Sequence, residues 1–372
     1  MIVKGSSELV DQVISQNLCV DCGACVGLCS YFVSYKGKIA RLFPCTLPQG
    51  RCHAHCPKTA VDLDELSKTM PGHAYDGSAL GHVRMIKKSR AGHRLQGTKG
   101  FQNGGTVSAL LTCAMDAGLI EAAALTSRKG LTPEAVLART PEEVLACSGS
   151  KYMASPTLSS VNDYMRQGGR HLAVVGTPCQ MTALVRMRTN PLGREDGYDP
   201  VALSLGLFCT WALDTRRLID LLANRLDVRE LIAMDVPPPP AKDMVFKTRN
   251  STVTVPLEAI RAIIPDGCRI CPDMTAEFTD LSVGALEGEP GWNTLIIRTK
   301  TGEDLVDRAV QNGFLECEPM PEASLDQLRT GALTKKKRAF ETARKTQRLN
   351  SETPALIVEA SLIEALIGTE AP

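Results

Sequence analysis

Apolar runs of strand length recur through the middle of the chain, each followed by a segment with helical spacing of its apolar residues. "FQNGGTVSALLTCAMDAGLIEAAALTS" (101–127) reads as a glycine turn, a helix stopped at Gly118, and a strand. "PEEVLAC" (141–147) is a short helix, and "LSSVNDYMRQGG" (158–169) is a helix closed by glycines. "RHLAVVGTPCQMTALVRM" (170–187) gives a buried strand, a tight turn and a helix, and "VALSLGLFCTW" (201–211) is again a buried strand. Fully apolar strands alternating with helices predict an α/β unit whose sheet is covered on both faces. "LSVGALEGEPGWNTLIIRTKTGEDL" (281–305) has the form of a hairpin with a glycine-rich loop. Pro237 to Pro240 form a rigid surface segment or turn. A last helix, about 324–347, carries "TKKKR", which reads as a solvated basic face.

The first 66 residues follow a different pattern. They hold few large apolar residues and seven of the chain's 14 cysteines. Such a segment cannot close a core alone, so a metal centre is expected to organise it. Residues 67–100 are rich in Gly, Lys, Arg and His and read as a linker entering the next domain.

Composition changes little else. The 372 residues carry a net charge of +1, which gives no case for nucleic acid or an anionic membrane surface. No apolar run reaches transmembrane length and no signal peptide is read, so a cytoplasmic, reducing compartment is expected. In that setting dense cysteines indicate metal or cluster binding rather than disulfides.

"CVDCGACVGLC" spaces Cys19, Cys22, Cys25 and Cys29 as C-x2-C-x2-C-x3-C, the bacterial ferredoxin run. Three closely spaced thiolates wrap a cube of iron and sulfide, and the fourth departs to a second cluster. "CTLPQGRCHAHCPK" supplies Cys45, Cys52 and Cys56 but departs from the ferredoxin pattern, with Pro48 near an expected cysteine. Crossed ligation assigns Cys19, Cys22, Cys25 and Cys56 to one cluster. It leaves Cys29, Cys45 and Cys52 one ligand short for another. His53 and His55 read as surface or hydrogen-bonding histidines rather than the missing ligand. Further along, Cys179 and Cys209 each follow a buried strand, where open α/β sheets place their ligand crevice. "CRICPD" adds Cys268 and Cys271. Spacing alone leaves three possibilities open for these four: a cluster, a zinc ion, or a Cys268–Cys271 disulfide. Cys113, Cys147 and Cys317 have the settings of small buried or incidental thiols.

Two glycine turns could face a phosphate. Gly104, Gly105 and Thr106 open a helix, and "GSKY" offers Gly149, Ser150, Lys151 and Tyr152. Each is also what an ordinary helix-start turn looks like. No G-x-G-x-x-G is present, so a standard dinucleotide site is not supported.

Taken together, "NGGTVSALL", "GSKY", "VVGTPCQ", "LGLFC", "GCRICPD" and "DLSVGALEGEPGWNTLIIRT" resemble, in order, the beta subunits of coenzyme F420-reducing hydrogenases and dehydrogenases. The resemblance covers about 80–347, with 1–66 similar to the ferredoxin-like extension of longer members. It implies an α/β (α+β) chain divided into a ferredoxin-like iron–sulfur domain (1–66), a linker (67–79), a flavin domain (80–347) with a C-terminal helix, and a tail (348–372). It further implies FAD contacted by the two glycine segments, with Lys151 near its phosphate or ring. Cys179, Cys209, Cys268 and Cys271 would then hold a [4Fe–4S] cluster. The implied function is that of an oxidoreductase component passing electrons between coenzyme F420 and a partner hydrogenase, dehydrogenase or heterodisulfide-reductase-like subunit. Two other readings stay open: NAD, a ferredoxin or a tetrapyrrole as acceptor, or a non-catalytic electron-transfer subunit.

Overall fold

The computed structural model describes residues 3–190, 192, 198–237 and 241–368. Pro238, Pro239 and Pro240 of the proline run therefore lie outside the described residues. An eight-stranded mixed sheet dominates. Its strands, numbered in chain order, are β1 (Met85–Ala91), β2 (Ala122–Lys129), β3 (Thr132–Ala138), β4 (Leu172–Gly176), β5 (Val201–Leu207), β6 (Leu281–Ala285), β7 (Asn293–Ile297) and β8 (Leu315–Pro319). Their order across the sheet is β8-β1-β7-β6-β5-β4-β2-β3. The central run β6, β5, β4, β2 is parallel, and antiparallel strands extend it on both sides.

Strand alternation sorts side chains to the two faces. Ala123, Ala173, Val175, Leu203, Leu205 and Leu281 share a core with helix α1 (Thr106–Asp116) and with the later helix Lys300–Gln311. Ala122, Ala124, Leu172 and Val174 face the other way, against Leu158, Val161 and Tyr164 and against helix α2 (Pro178–Thr189). The expected two-faced covering is thus present, and β6 and β7 form the expected hairpin, Leu281 opposite Ile297. A separate antiparallel sheet of Leu231–Asp235, Asp243–Thr248 and Thr252–Pro256 has its own core around Met244, Phe246 and Val255.

The N-terminal segment shares its core with the rest of the chain. Leu9, Val13, Phe32, Ile39, Val61 and Leu66 pack with Val185, Phe278 and Phe340 and with Leu356, Val358 and Ile363 near the C-terminus. Leu356 and Ile357 pair in parallel with Val61 and Asp62.

The long helix α3 (Glu322–Lys345) overturns the expectation of a solvated basic face. Lys335 is 3% exposed and Lys336 is fully buried. They lie on the stripe of Ala332, Ala339, Phe340 and Ala343, which packs inward at helical spacing. Lys337 and Arg338 stay in solvent. Burial is tolerable because both ammonium groups find partners. Lys336 Nζ lies 2.9 Å from Glu277 Oε1 and donates to the Ser78 carbonyl at 2.6 Å.

Candidate metal and cofactor centre

The parallel strands place Cys179 and Cys209. Thr177 follows β4 and caps α2 through a reciprocal exchange with Gln180, leaving Pro178 and Cys179 in the first turn. The Thr177 hydroxyl lies 3.4 Å from Cys179 Sγ. Cys209 sits two residues past β5, its N–H donating to the Met274 carbonyl at 2.9 Å. The 268–273 loop runs alongside, and the Cys271 N–H donates to the Cys268 carbonyl at 3.3 Å.

The charges acting on each thiol sort the cysteines into neighbourhoods. Burial pushes Cys179 up to about 12, and Cys271 and Cys268 add to the rise. Cys209 is raised by burial and by Cys268, Cys179 and Cys271. Burial pushes Cys19 up to about 12 with help from Cys56, and it raises Cys22 and Cys25 with further contributions from Cys19 and Cys56. Burial brings Cys52 to about 11, and Cys29 and Cys45 add to the rise. Three sets result: Cys179, Cys209, Cys268 and Cys271 inside; Cys19, Cys22, Cys25 and Cys56 next; and Cys29, Cys45 and Cys52 beyond them. Cys22 is also influenced by Cys179, and Cys25 by Cys52, so the sets form a series. All these cysteines are free thiols. Among the described residues, no three His, Cys, Asp or Glu side chains close to the spacing of a single-ion site. Thiolates around a four-iron cube stand further apart than the ligands of one ion, so the inner donor set of four half-buried thiols fits a cluster chemically.

Helix α2 ties the first two sets together. Seven residues after Cys179, roughly 10 Å along the axis, buried Arg186 donates to the Ala54 carbonyl at 2.8 Å and to Thr59 Oγ1 at 3.2 Å. That grip holds the loop bearing Cys56. Elsewhere Gly267 lies directly against the Leu18 backbone, and Asn17 Nδ2 donates to Asp266 Oδ2 at 2.9 Å. Two buried lysines flank the inner set. Lys335 Nζ donates to the carbonyls of Cys209 and Asp273, both at 2.6 Å. Burial opposes its charge, yet Cys271 and Cys209, with Asp273 and Cys268, hold its pKa above the ordinary lysine value. Lys58 lines one cavity with Cys179, Cys271 and Asp273.

His53 and His55 are buried, not on the surface. The alternative, a hydrogen-bonding role, describes them: His55 Nε2 lies 2.8 Å from Asn190 Nδ2, and His53 Nδ1 accepts from the Lys4 N–H at 3.4 Å. Cys113 is on the buried face of α1, Cys147 follows the helix Pro141–Ala146, and Cys317 lies in β8.

The two glycine segments come together. Gln102 accepts from the Ser150 N–H at 2.8 Å and donates to Tyr152 Oη at 3.1 Å and Asp235 Oδ1 at 2.8 Å. Ser108 and Ser148 hydroxyls are 3.2 Å apart. Gly105 has φ +75°, and a Cβ there would strike the Phe101 ring at 2.6 Å. A Cβ on Gly104 would meet Asn293 Oδ1 and the Ser89 carbonyl, both at 2.8 Å. Thr106 donates its N–H to Asn293 Oδ1 at 3.3 Å. The Lys151 ammonium is turned onto the carbonyls of Cys147, Ser148 and Gly149, and burial lowers its pKa to about 8. Sequence reasoning missed Gln102, Asn293, Arg186, Lys58 and Lys335 at these sites.

Family comparison decides what this arrangement belongs to. Residues 92–162 match the N-terminal model of the coenzyme F420 hydrogenase/dehydrogenase beta subunit, and 169–323 match its C-terminal model. The chain belongs to the family of coenzyme F420 hydrogenase/dehydrogenase beta subunits. It is 30% identical to a coenzyme F420 hydrogenase subunit beta of Methanothermobacter thermautotrophicus, over 65% of this chain and 87% of that protein. It is 27% identical to a component of the F(420)H(2) dehydrogenase of Methanosarcina mazei, over 84% of this chain and 88% of that protein. The fold matches a chain of the F420-reducing [NiFe] hydrogenase complex from Methanosarcina barkeri, with TM-score 0.66 and 27% identity, over 72% of this chain and 93% of that one. Membership in this family carries an association with oxidoreductases and electron transfer in F420 chemistry. Among the described residues, no helix is long and apolar enough to cross a membrane.

Proposed function

We propose that the chain is an iron–sulfur flavoprotein subunit of the cytoplasm that exchanges hydride with coenzyme F420 and passes single electrons to or from a partner oxidoreductase subunit. One observation carries the reading: Cys179, Cys209, Cys268 and Cys271 converge from two strand ends and one loop, beside the N-terminal cysteine series. In this reading the inner four thiolates hold one [4Fe–4S] cluster. Cys19, Cys22, Cys25 and Cys56 hold a second, and Cys29, Cys45 and Cys52 hold part of a third. Gly104, Gly105 and Thr106, with Gly149, Ser150 and Tyr152, border the FAD. The exposed polar groups of Gln102 and Ser150 and the half-buried Tyr152 ring suit a polar, stackable ligand. Lys151 orders that turn through its three carbonyls. A flavin couples two-electron hydride chemistry to the one-electron chemistry of iron–sulfur centres. The protein's part is to bring the thiols together from two strand ends and one loop and to align the sets along α2.

Anaerobically purified chain tests this. Iron near eight to twelve per chain, bound FAD and reduction of F420 by a low-potential donor are expected. Colourless, flavin-free protein would overturn the reading. Turnover with NAD and none with F420 would move the acceptor assignment to a nicotinamide.

A further inference from the structure

Among the described residues five cationic side chains are buried: Lys58, Arg186, Arg298, Lys335 and Lys336. Three have ordinary structural partners. Lys336 pairs with Glu277; Arg186 is held by carbonyls and the Thr59 hydroxyl; Arg298 donates to Ser282 Oγ and to the Leu80 and His82 carbonyls. Lys335 and Lys58 differ, because both face the inner cysteine set. Lys335 reaches across from α3 to the Cys209 and Asp273 carbonyls. The stripe of Ala332, Ala339, Phe340 and Ala343 pins it there. Lys58 is 4% exposed and shares its cavity with Cys179 and Cys271. Its charge is felt by Cys179, Cys268 and, two residues away, Cys56. Among the described residues Lys58 has no carboxylate within ion-pair distance. Asp273 and Glu277 line the same cavity without forming an ion pair with Lys58, and an anion held by the adjacent thiols would offset the cost of burying this charge.

We infer that Lys58 and Lys335 are the built-in counter-charge of the inner cysteine set, and that they raise the reduction potential of the anionic cluster those thiolates hold. The inference rests on the proposed cluster. One-electron reduction adds one negative charge to that cluster, and a fixed cation in a low-dielectric surrounding favours the reduced form. The two lysines act on different ranges. Lys335 touches the inner set alone. Lys58 lies between the inner set and the set containing Cys56, so it acts on both. The inner centre is thereby the point at which electrons collect before two-electron chemistry.

Potentiometric titration of the full chain, followed by electron paramagnetic resonance, tests the pattern. The inner centre is the feature that Cys268→Ala removes. Lys335→Met is expected to move that feature alone to more negative potential. At the wild-type midpoint its oxidised-to-reduced ratio rises about tenfold, equivalent to 59 mV for one electron. Lys335→Arg keeps the charge and keeps the midpoint. Lys58→Met moves two features in the same direction. An inner feature unmoved by Lys335→Met overturns the inference and leaves the proposed function standing. Wild-type protein with no feature sensitive to Cys268→Ala overturns both. Should Lys335→Met fail to load the inner centre, Lys58→Met decides: features at their wild-type potentials overturn the inference.

Discussion

Gly267→Ala probes the contact that joins the two cysteine regions. A Cβ at 267 would stand 2.0 Å from the Leu18 carbonyl oxygen, 2.8 Å from its carbon and 2.9 Å from Val20 Cγ1. The obstruction is backbone, so no rotamer change relieves it, and the 268–273 loop must retreat from the Cys19 segment by roughly 1 Å. Overpacking of this kind costs about 1–3 kcal/mol, and an immovable neighbour places it near the top of the range. For 372 residues the unfolding entropy is roughly 0.8 kcal/mol/K, so about 3 kcal/mol lowers Tm by about 4 °C. Gly331→Ala is the matched control. Gly331 sits exposed inside α3, and its nearest neighbour to a new Cβ is Met274 Cε at 3.8 Å. The same substitution there should stabilise by about 0.5–1 kcal/mol, because glycine is a poor helix residue. The assay is thermal unfolding of both variants beside the wild type under anaerobic conditions. A Gly267→Ala protein that melts with the wild type, or above it, would refute the close approach of the two segments.

Cys268→Ala should lower iron by about four atoms per chain and leave the N-terminal centres' signals intact, as measured by iron assay and electron paramagnetic resonance. Gly104→Ala should reduce the FAD recovered per chain, because its methyl group collides with Asn293 and the Ser89 carbonyl; unchanged flavin content would contradict the assignment of this turn. Lys336→Met removes the ammonium that holds the Glu277 carboxyl down, so the buried Glu277 keeps its proton to higher pH and the ion pair is lost; the chain should be destabilised, increasingly as pH rises, read by denaturant unfolding. Burial pushes the Glu277 carboxyl up to about 7 from an ordinary value of 4.5, so folding takes up a proton between those limits. Its stabilising contribution is complete below pH 4.5 and fades as pH rises through 7. Glu277→Gln should flatten that part of the pH–stability profile.

The fold was legible where one period governed a long segment. Fully apolar strands such as Leu172–Gly176, followed by a capped helix, announce a buried parallel sheet, and the sheet's central strands follow that pattern. The convergence of Cys179 with Cys209 was legible for the same reason, since both end neighbouring parallel strands. The buried lysines were misread because a run of like charges usually faces water. The helical spacing held the contrary indication: Lys335 and Lys336 fall in step with Ala332, Ala339, Phe340 and Ala343. Gln102 and Asn293 were missed for a different reason. Their contacts to Ser150 and Thr106 join segments far apart in sequence, and no local pattern encodes such a meeting. Lys58 and Arg186 likewise take their meaning only from the packing of α2 against the Cys56 loop.

The parallel pairing of Leu356 and Ile357 with Val61 and Asp62 bears on how the protein matures. The strand that follows the Cys56 loop is completed by residues the ribosome adds long after the ferredoxin-like run has emerged. During synthesis that run lacks Arg186, α3 and its pairing strand. The N-terminal cysteine segment therefore reaches its packed form only when nearly the whole chain has been made.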